Sequence, residues 1–239
     1  GTGKSLTAKI IGGIWRLPLI RLDVGSLFGS LVGESEERTR QALHLAETIA
    51  PCVVWIDEME KAFSHGGNDG GTSTRVFGTI LTWMQEKTKP CFVVATANNI
   101  SQLPPELLRK GRFDEIFFLD LPTKEERKQI FSVHLKKKLR LLHDFDLDTL
   151  SEESQGYVGA EIEQAIIDAM YLGFNENNRE FTTKDISLSL RKQIPLSISQ
   201  REVIEALRDW LREGRALSAS FAEAKEAEKE FVPLEVMRG

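Results

Sequence analysis

The sequence predicts an α/β fold, a parallel sheet with helices on both faces, followed by a small helical domain. Two observations carry this. Through the first two-thirds of the 239-residue chain, apolar runs of strand length alternate with segments of helical period, the pattern of strands joined by crossover helices. Beyond Pro122 the strand-like runs stop and helix-period segments remain, the content of a small bundle.

Four runs read as strands: Pro18-Leu19-Ile20-Arg21-Leu22, Cys52-Val53-Val54-Trp55-Ile56, Cys91-Phe92-Val93-Val94-Ala95 and Ile116-Phe117-Phe118-Leu119. Each is short and rich in branched or aromatic residues. Ser35, followed by Glu36 and Glu37, offers a hydroxyl cap and acids at the positive end of a helix dipole. A helix is therefore expected over 35–50, stopped by Pro51. The glycine-rich polar segment 64–74 reads as a loop, and a second helix follows it through Trp83. After Pro122, Thr123 with Glu125 and Glu126 opens a helix expected over 124–139. Further helices are expected over 160–172 and 199–212. The expected domains are thus an α/β domain over 1–122, a helical domain over 123–213, and a tail over 214–239. The tail, rich in Ala, Glu and Lys between Phe221 and Phe231, fits either a docked helix or an extension.

Composition narrows the function classes. A hydrophobic content of 41% supports an ordinary globular core, and no run of 18 apolar residues or basic-then-apolar leader occurs. A cytosolic or similar compartment is expected. The net charge of −5 gives no global attraction to nucleic acid or anionic lipid. Cys52 and Cys91 each begin an apolar run, as reduced core thiols do.

The chemistry-bearing residues begin at the first position. Gly1-Thr2-Gly3-Lys4-Ser5, running into a helix-compatible stretch from Leu6, matches the second half of a phosphate-binding loop. Glycines let backbone N–H groups turn to phosphate, Lys4 can neutralise it, and Ser5 can hold Mg²⁺. A glycine turn capping a helix is the plainer alternative. Val53-Val54-Trp55-Ile56-Asp57-Glu58 is a buried strand ending in two acids. At the C-terminal end of a parallel strand, where ligands bind in open α/β sheets, one carboxylate can serve a metal and the next can activate water. Solvated turn acids would look the same in isolation.

The spacing from phosphate loop to acidic strand, with further motifs in order, resembles the AAA ATPase family over residues 1–212. Asn98, just after Val93-Val94-Ala95-Thr96-Ala97, looks like the family's first sensor, which positions the attacking water; otherwise it is a loop amide. Leu107-Leu108-Arg109-Lys110-Gly111-Arg112-Phe113-Asp114 resembles the segment that offers Arg109 and Arg112 to a neighbouring subunit's nucleotide. In isolation these would be surface arginines. His134, within Ile130-Phe131-Ser132-Val133-His134-Leu135, resembles a histidine beside adenine and ribose, and fits a partly buried helical histidine equally well. Gly156-Tyr157-Val158-Gly159-Ala160 resembles the second-sensor turn, so Gly159 and Ala160 are expected near the base. Leu31 stands where the first pore loop usually carries an aromatic, and 64–74 would be the second pore loop.

A narrower likeness, in Lys61-Ala62-Phe63, Leu81-Thr82-Trp83-Met84-Gln85-Glu86-Lys87 and Val232-Pro233-Leu234-Glu235, is to AAA proteins encoded as a hypothetical reading frame in algal plastids and cyanobacteria. The plastid stroma is therefore a second expected location. The resemblance further implies that the strand before the phosphate loop precedes this chain, which is expected to be a segment of a longer protein. Its implied cofactors are ATP and Mg²⁺, its implied assembly a homo-oligomeric, hexameric ring, and its implied partner a protein client. A non-enzymatic nucleotide-binding scaffold is the alternative. A DNA-acting motor is disfavoured, because Lys136-Lys137-Lys138-Leu139-Arg140 is the one dense basic run.

Overall fold

A computed structural model of the chain describes residues 3–23, 34–64, 72–109 and 112–219. The described chain divides into two compact units, Lys4–Glu115 and Ile116 onward, Gly3 grouping with the latter.

In the first unit, helix α1 (Lys4–Trp15) leads to strand β1 (Leu19–Asp23). Helix α2 (Glu34–Thr48), strand β2 (Cys52–Asp57), the short α3 (Lys61–Ser64), α4 (Thr72–Glu86) and β3 (Cys91–Ala95) follow. The strands form a parallel sheet in the order β1-β2-β3, with Leu19 opposite Val53 and Cys52 opposite Cys91. Central β2 is buried along almost its whole length, which explains its unbroken apolar run. Successive side chains point to opposite faces of a strand. Cys52, Val54 and Ile56 accordingly pack with Leu43 and Ala46 of α2 and with Val76, Phe77 and Ile80 of α4. Val53, Trp55 and Asp57 take the other face, where Lys9 of α1 lies over the Trp55 ring. Trp83 ties the outer helices together by donating from Nε1 to Glu47 Oε1 at 3.1 Å. The two cysteines are buried free thiols with sulfurs 3.8 Å apart. Burial, together with its neighbour, pushes the Cys52 thiol up to about 11.

Local expectations shift in three places. Ser35 is not the cap of α2 but lies in its first turn, where its carbonyl accepts from Thr39 Oγ1 at 2.8 Å. The segment 64–74 is shorter as a loop than expected, because Ser64 closes α3 and Thr72 opens α4; residues 65–71 lie outside the described ones. The run 116–119 yields only β4 (Phe117–Phe118), which pairs with β5 (Leu217–Ser218) and not with the three-stranded sheet. Leu217 N–H donates to Ile116 O at 2.8 Å and Ala219 N–H to Phe118 O at 3.0 Å, so the edge that 116–119 offers is filled from near the C-terminus.

The second unit contains, after β4, helices α5 (Lys124–Lys137), α6 (Leu147–Glu153), α7 (Gly159–Asn175), α8 (Thr183–Arg191), α9 (Leu196–Ser199) and α10 (Arg201–Arg212), then β5. Thr123 caps α5 in a reciprocal capping box with Glu126, as its sequence suggests. Helices α6 and α8 are absent from the sequence expectation, although each carries a start signal. Asp146 accepts from Thr149 N–H at 3.0 Å, and Thr182 N–H donates to Asp185 Oδ2 at 2.8 Å. Phe131, Leu135, Leu150, Ile162, Ile166, Ile186 and Leu190 form the fully buried core, each contributing about 1.5–3 kcal/mol by burial. The buried Arg127 bridges α5 to α6 by donating to Ser151 O (3.1 and 2.8 Å) and Pro122 O (2.7 Å). Gly156 adopts a φ of +84°, and a Cβ there would sit 2.2 Å from Ser197 Oγ, so only glycine fits this turn.

Asp185 receives Arg179 in a two-pronged pair at 2.7 and 2.8 Å. Arg179, with the Thr182 donors, holds the Asp185 carboxyl well below the usual carboxylate range. A depressed folded value means the stabilisation is present above the unfolded carboxylate value and is lost as pH falls through the folded one. Asp185→Asn is therefore expected to destabilise the helical unit at pH 7 by about 2 kcal/mol. It should also remove part of the stability loss seen below about pH 4. Denaturant midpoints measured across pH check both.

Candidate functional site

The functional candidates of the first unit gather where α1 begins and β2 and β3 end. Gly3 precedes α1 with a φ of +97°, a left-handed conformation natural to glycine. Lys4 and Ser5 open the helix, and Leu6 follows with 57% of its surface exposed. Gly1 and Thr2 lie outside the described residues. Burial pushes the Lys4 ammonium below its ordinary value, against the pull of Glu60, Glu58 and Asp57. A lysine so placed is poised for anionic oxygen, since added negative charge relieves its desolvation.

Asp57 ends β2. Its Oδ1 accepts from Ser5 Oγ at 3.1 Å and from Thr96 Oγ1 at 2.7 Å, and its Oδ2 accepts from Arg21 Nη2 at 3.2 Å. The chain then turns sharply. Glu58 has a φ of +49°, a conformation that costs a non-glycine residue energy and recurs at functional sites. Its N–H donates to Thr96 Oγ1 at 3.0 Å. Thr96 thus accepts from one acid's backbone while donating to the other acid's side chain, and Met59 N–H donates to its carbonyl at 2.9 Å. The Glu58 carboxylate is itself held from two sides, by Asn98 Nδ2 at 3.2 Å and by an ion pair with Lys61. Asn98 is oriented in turn by Glu60, whose Oε1 accepts from both its N–H and its Nδ2 at 3.0 Å.

Ser5, Asp57, Glu58 and Asn98 are therefore joined in one network, and Lys4 shares its electrostatic field. Sequence reading missed Thr96, Glu60, Arg21 and Lys61. A threonine after an apolar strand and a third acid after Asp57-Glu58 were the available signals for the first two. Arg109 follows a 3₁₀ turn (Pro105–Leu108) and is exposed, while Arg112 is half-buried. Among the described residues neither has a side-chain ion pair. Lys110 and Gly111 between them lie outside the described residues, as does Leu31. A cleft of about 720 Å³ between α2 and α4, lined by Arg40, His44, Arg75 and Trp83 among others, holds none of the candidates.

In the second unit, His134 on α5 has Nδ1 3.2 Å from Glu163 Oε1 of α7. Burial lowers its value below the ordinary one, against the pull of Glu163, which favours the neutral ring. Gly159 and Ala160 open α7, where Val158 N–H donates to Glu161 Oε2 at 2.8 Å.

Residues 1–121 match the model of the ATPase family associated with various cellular activities, and residues 144–188 match the AAA+ lid domain. The chain belongs to the AAA ATPase family. The AAA domain-containing protein ycf46 of Guillardia theta is 56% identical over 223 residues, covering 92% of this chain and 44% of its own length. A cell division cycle protein 48 homolog of Archaeoglobus fulgidus is 32% identical over 212 residues, covering 87% of this chain and 28% of its own. The ATP-dependent zinc metalloprotease FtsH of Thermus thermophilus is 31% identical over 236 residues, covering 93% and 37%. This AAA chain spans a little under half the length of its ycf46 relatives.

Thr96 offers a clean test of the network. Thr96→Val keeps the shape but leaves the Glu58 N–H without an acceptor, so the first unit is expected to lose about 1–3 kcal/mol. Thr96→Ser should stay near wild type. Thermal melts of the two variants decide; equal melts would show that the hydroxyl does not organise the acids.

Proposed function

We infer that this chain is the ATP-hydrolysing core of a protein that assembles into a ring, hexameric by likeness to its family, and remodels protein partners. The supporting observation is the network linking Ser5, Asp57, Glu58 and Asn98, with Lys4 in its field. Family membership supplies the nucleotide.

Gly1, Thr2, Gly3 and Leu6 with Lys4 form the phosphate cradle in this reading. The Ser5–Asp57 pair fits a magnesium ion, because Mg²⁺ takes hard oxygen donors and is bound by one or two protein groups plus substrate phosphates and water. Among the described residues no cluster of three or more His, Cys, Asp or Glu could hold a metal without such help. Ser5 would ligate the ion and Asp57 would order its shell; when bound, the ion neutralises charge on the phosphate oxygens. Glu58 takes the proton of the attacking water, and Asn98 orients that water. Arg109 and Arg112 act in trans on a neighbour's nucleotide, a role suited to a planar guanidinium beside a transferring phosphoryl group. His134 and the Gly159-Ala160 turn contact the base.

The cytosol or plastid stroma suits such a chain, in which no helix of the described residues is long and apolar enough to cross a membrane. The run Lys136-Lys137-Lys138-Leu139-Arg140 needs no nucleic acid to explain it. It ends α5, where cations suit the helix dipole, and Arg140 pairs with Glu180 at 2.9 Å and lies over the Phe181 ring.

Glu58→Gln is expected to retain ATP binding and to lower phosphate release by at least 100-fold. Unchanged turnover would overturn the mechanism, and absence of turnover in the full-length wild type would favour the scaffold reading. Arg112→Ala alone should be inactive in a homomeric ring, yet mixed assemblies with Glu58→Gln should regain turnover, because each chain supplies what the other lacks. Phosphate release across mixing ratios reads this directly.

A further inference from the structure

The carboxylate assigned to the metal already has a cation beside it. Arg21 lies on β1 directly opposite Trp55, and Asp23 opposite Asp57. In parallel strands at this register, alternate residues share a face, so Arg21, Trp55 and Asp57 are neighbours on the α1 side of the sheet. The guanidinium carbon sits 4.8 Å from the Trp55 ring centroid, and Nη2 reaches Asp57 Oδ2 at 3.2 Å. Trp55 is 4% exposed, so the platform is fixed. The Arg21 side chain is 53% exposed and Asp57 only 11%. A flat guanidinium can stack and donate at once, which an ammonium cannot do. Because Oδ1 is taken by the Ser5 and Thr96 hydroxyls, Arg21 completes the clamp on this carboxylate.

We propose that Arg21 is a positioning residue and resident counter-ion of Asp57, which competes electrostatically with the divalent cation and so sets the metal concentration at which nucleotide binds productively. This rests on the ATPase reading of Asp57. Arg21 steadies the carboxylate before metal arrives, in place of the positive charge that the ion later brings. Once the ion is present, the same guanidinium is a like charge close by. A half-exposed positive charge held against a metal-binding carboxylate weakens the ion's binding roughly 3–10-fold. No other residue of β1 plays this part. Lys9 lies over the same ring at 5.8 Å but has no hydrogen bond to Asp57 among the described residues.

The test is fluorescent-ATP binding to the full-length protein, titrated with Mg²⁺, for wild type, Arg21→Gln and Arg21→Lys. For Arg21→Gln the Mg²⁺ midpoint should fall 3–10-fold, because the competing charge is gone. Arg21→Lys keeps the charge and loses the stacked fork, so its midpoint should stay within about twofold of wild type. Melting temperatures report any purely structural loss. An unmoved or raised midpoint in Arg21→Gln, with only the melting temperature lowered, overturns the proposal and leaves the ATPase reading standing. Failure of wild type to bind nucleotide at any Mg²⁺ concentration overturns both, since a counter-ion to a metal carboxylate has no function without the metal.

Discussion

A strand buried on both faces cannot end in two carboxylates unless something receives their charge, and in this molecule that requirement shapes the rest of the first unit. Strand β2 is dry up to Ile56 and charged from Asp57 onward. Ionised groups at the edge of a low-dielectric core need donors or cations. The hydroxyl of Thr96, the guanidinium of Arg21 and the hydroxyl of Ser5 meet the first acid. Lys61 and Asn98 meet the second. These partners come from α1, β1, α3 and the end of β3, so the site is where those elements are held in register.

The same constraint relates architecture to chemistry. The ends of parallel strands leave backbone groups pointing outward, and a helix beginning beside them adds a positive dipole end. Lys4 and Ser5 occupy that helix start while the acids occupy the neighbouring strand end. The positive helix start and the acidic strand end thus stand side by side, joined by the Ser5–Asp57 hydrogen bond. Glu58 reaches its place through a left-handed backbone step, the one costly conformation at the centre of the network.

Much of this was legible in the sequence, for a physical reason. Apolar runs such as Cys52–Ile56 advertise burial on both faces, and the abrupt change to Asp57-Glu58 marks the strand end. The Thr123 cap with Glu126 likewise announced α5. What was not legible depended on tertiary pairing. Arg21 reads as a polar residue in an edge-like strand until the register sets it against Trp55. Thr96 reads as another β-branched strand residue until its hydroxyl is seen between two acids. The β4–β5 pair was hidden because its halves lie about a hundred residues apart and each is only two residues long. Helix α8 was passed over because its stabilising Asp185–Arg179 pair reaches outside the helix.

Cys52 and Cys91 stand opposite each other on adjacent strands, buried beneath α2 with their sulfurs in contact. A thiol shut away from solvent is a poor nucleophile. Its reaction with an alkylating reagent must wait for the sheet to open, and local opening in folded proteins runs from facile to as costly as global unfolding. The two sulfurs therefore act as a chemical clock set into the centre of the sheet. The rate at which they are modified measures how often the platform beneath the acids comes apart, and slower modification on nucleotide binding would register how firmly the ligand holds that platform closed.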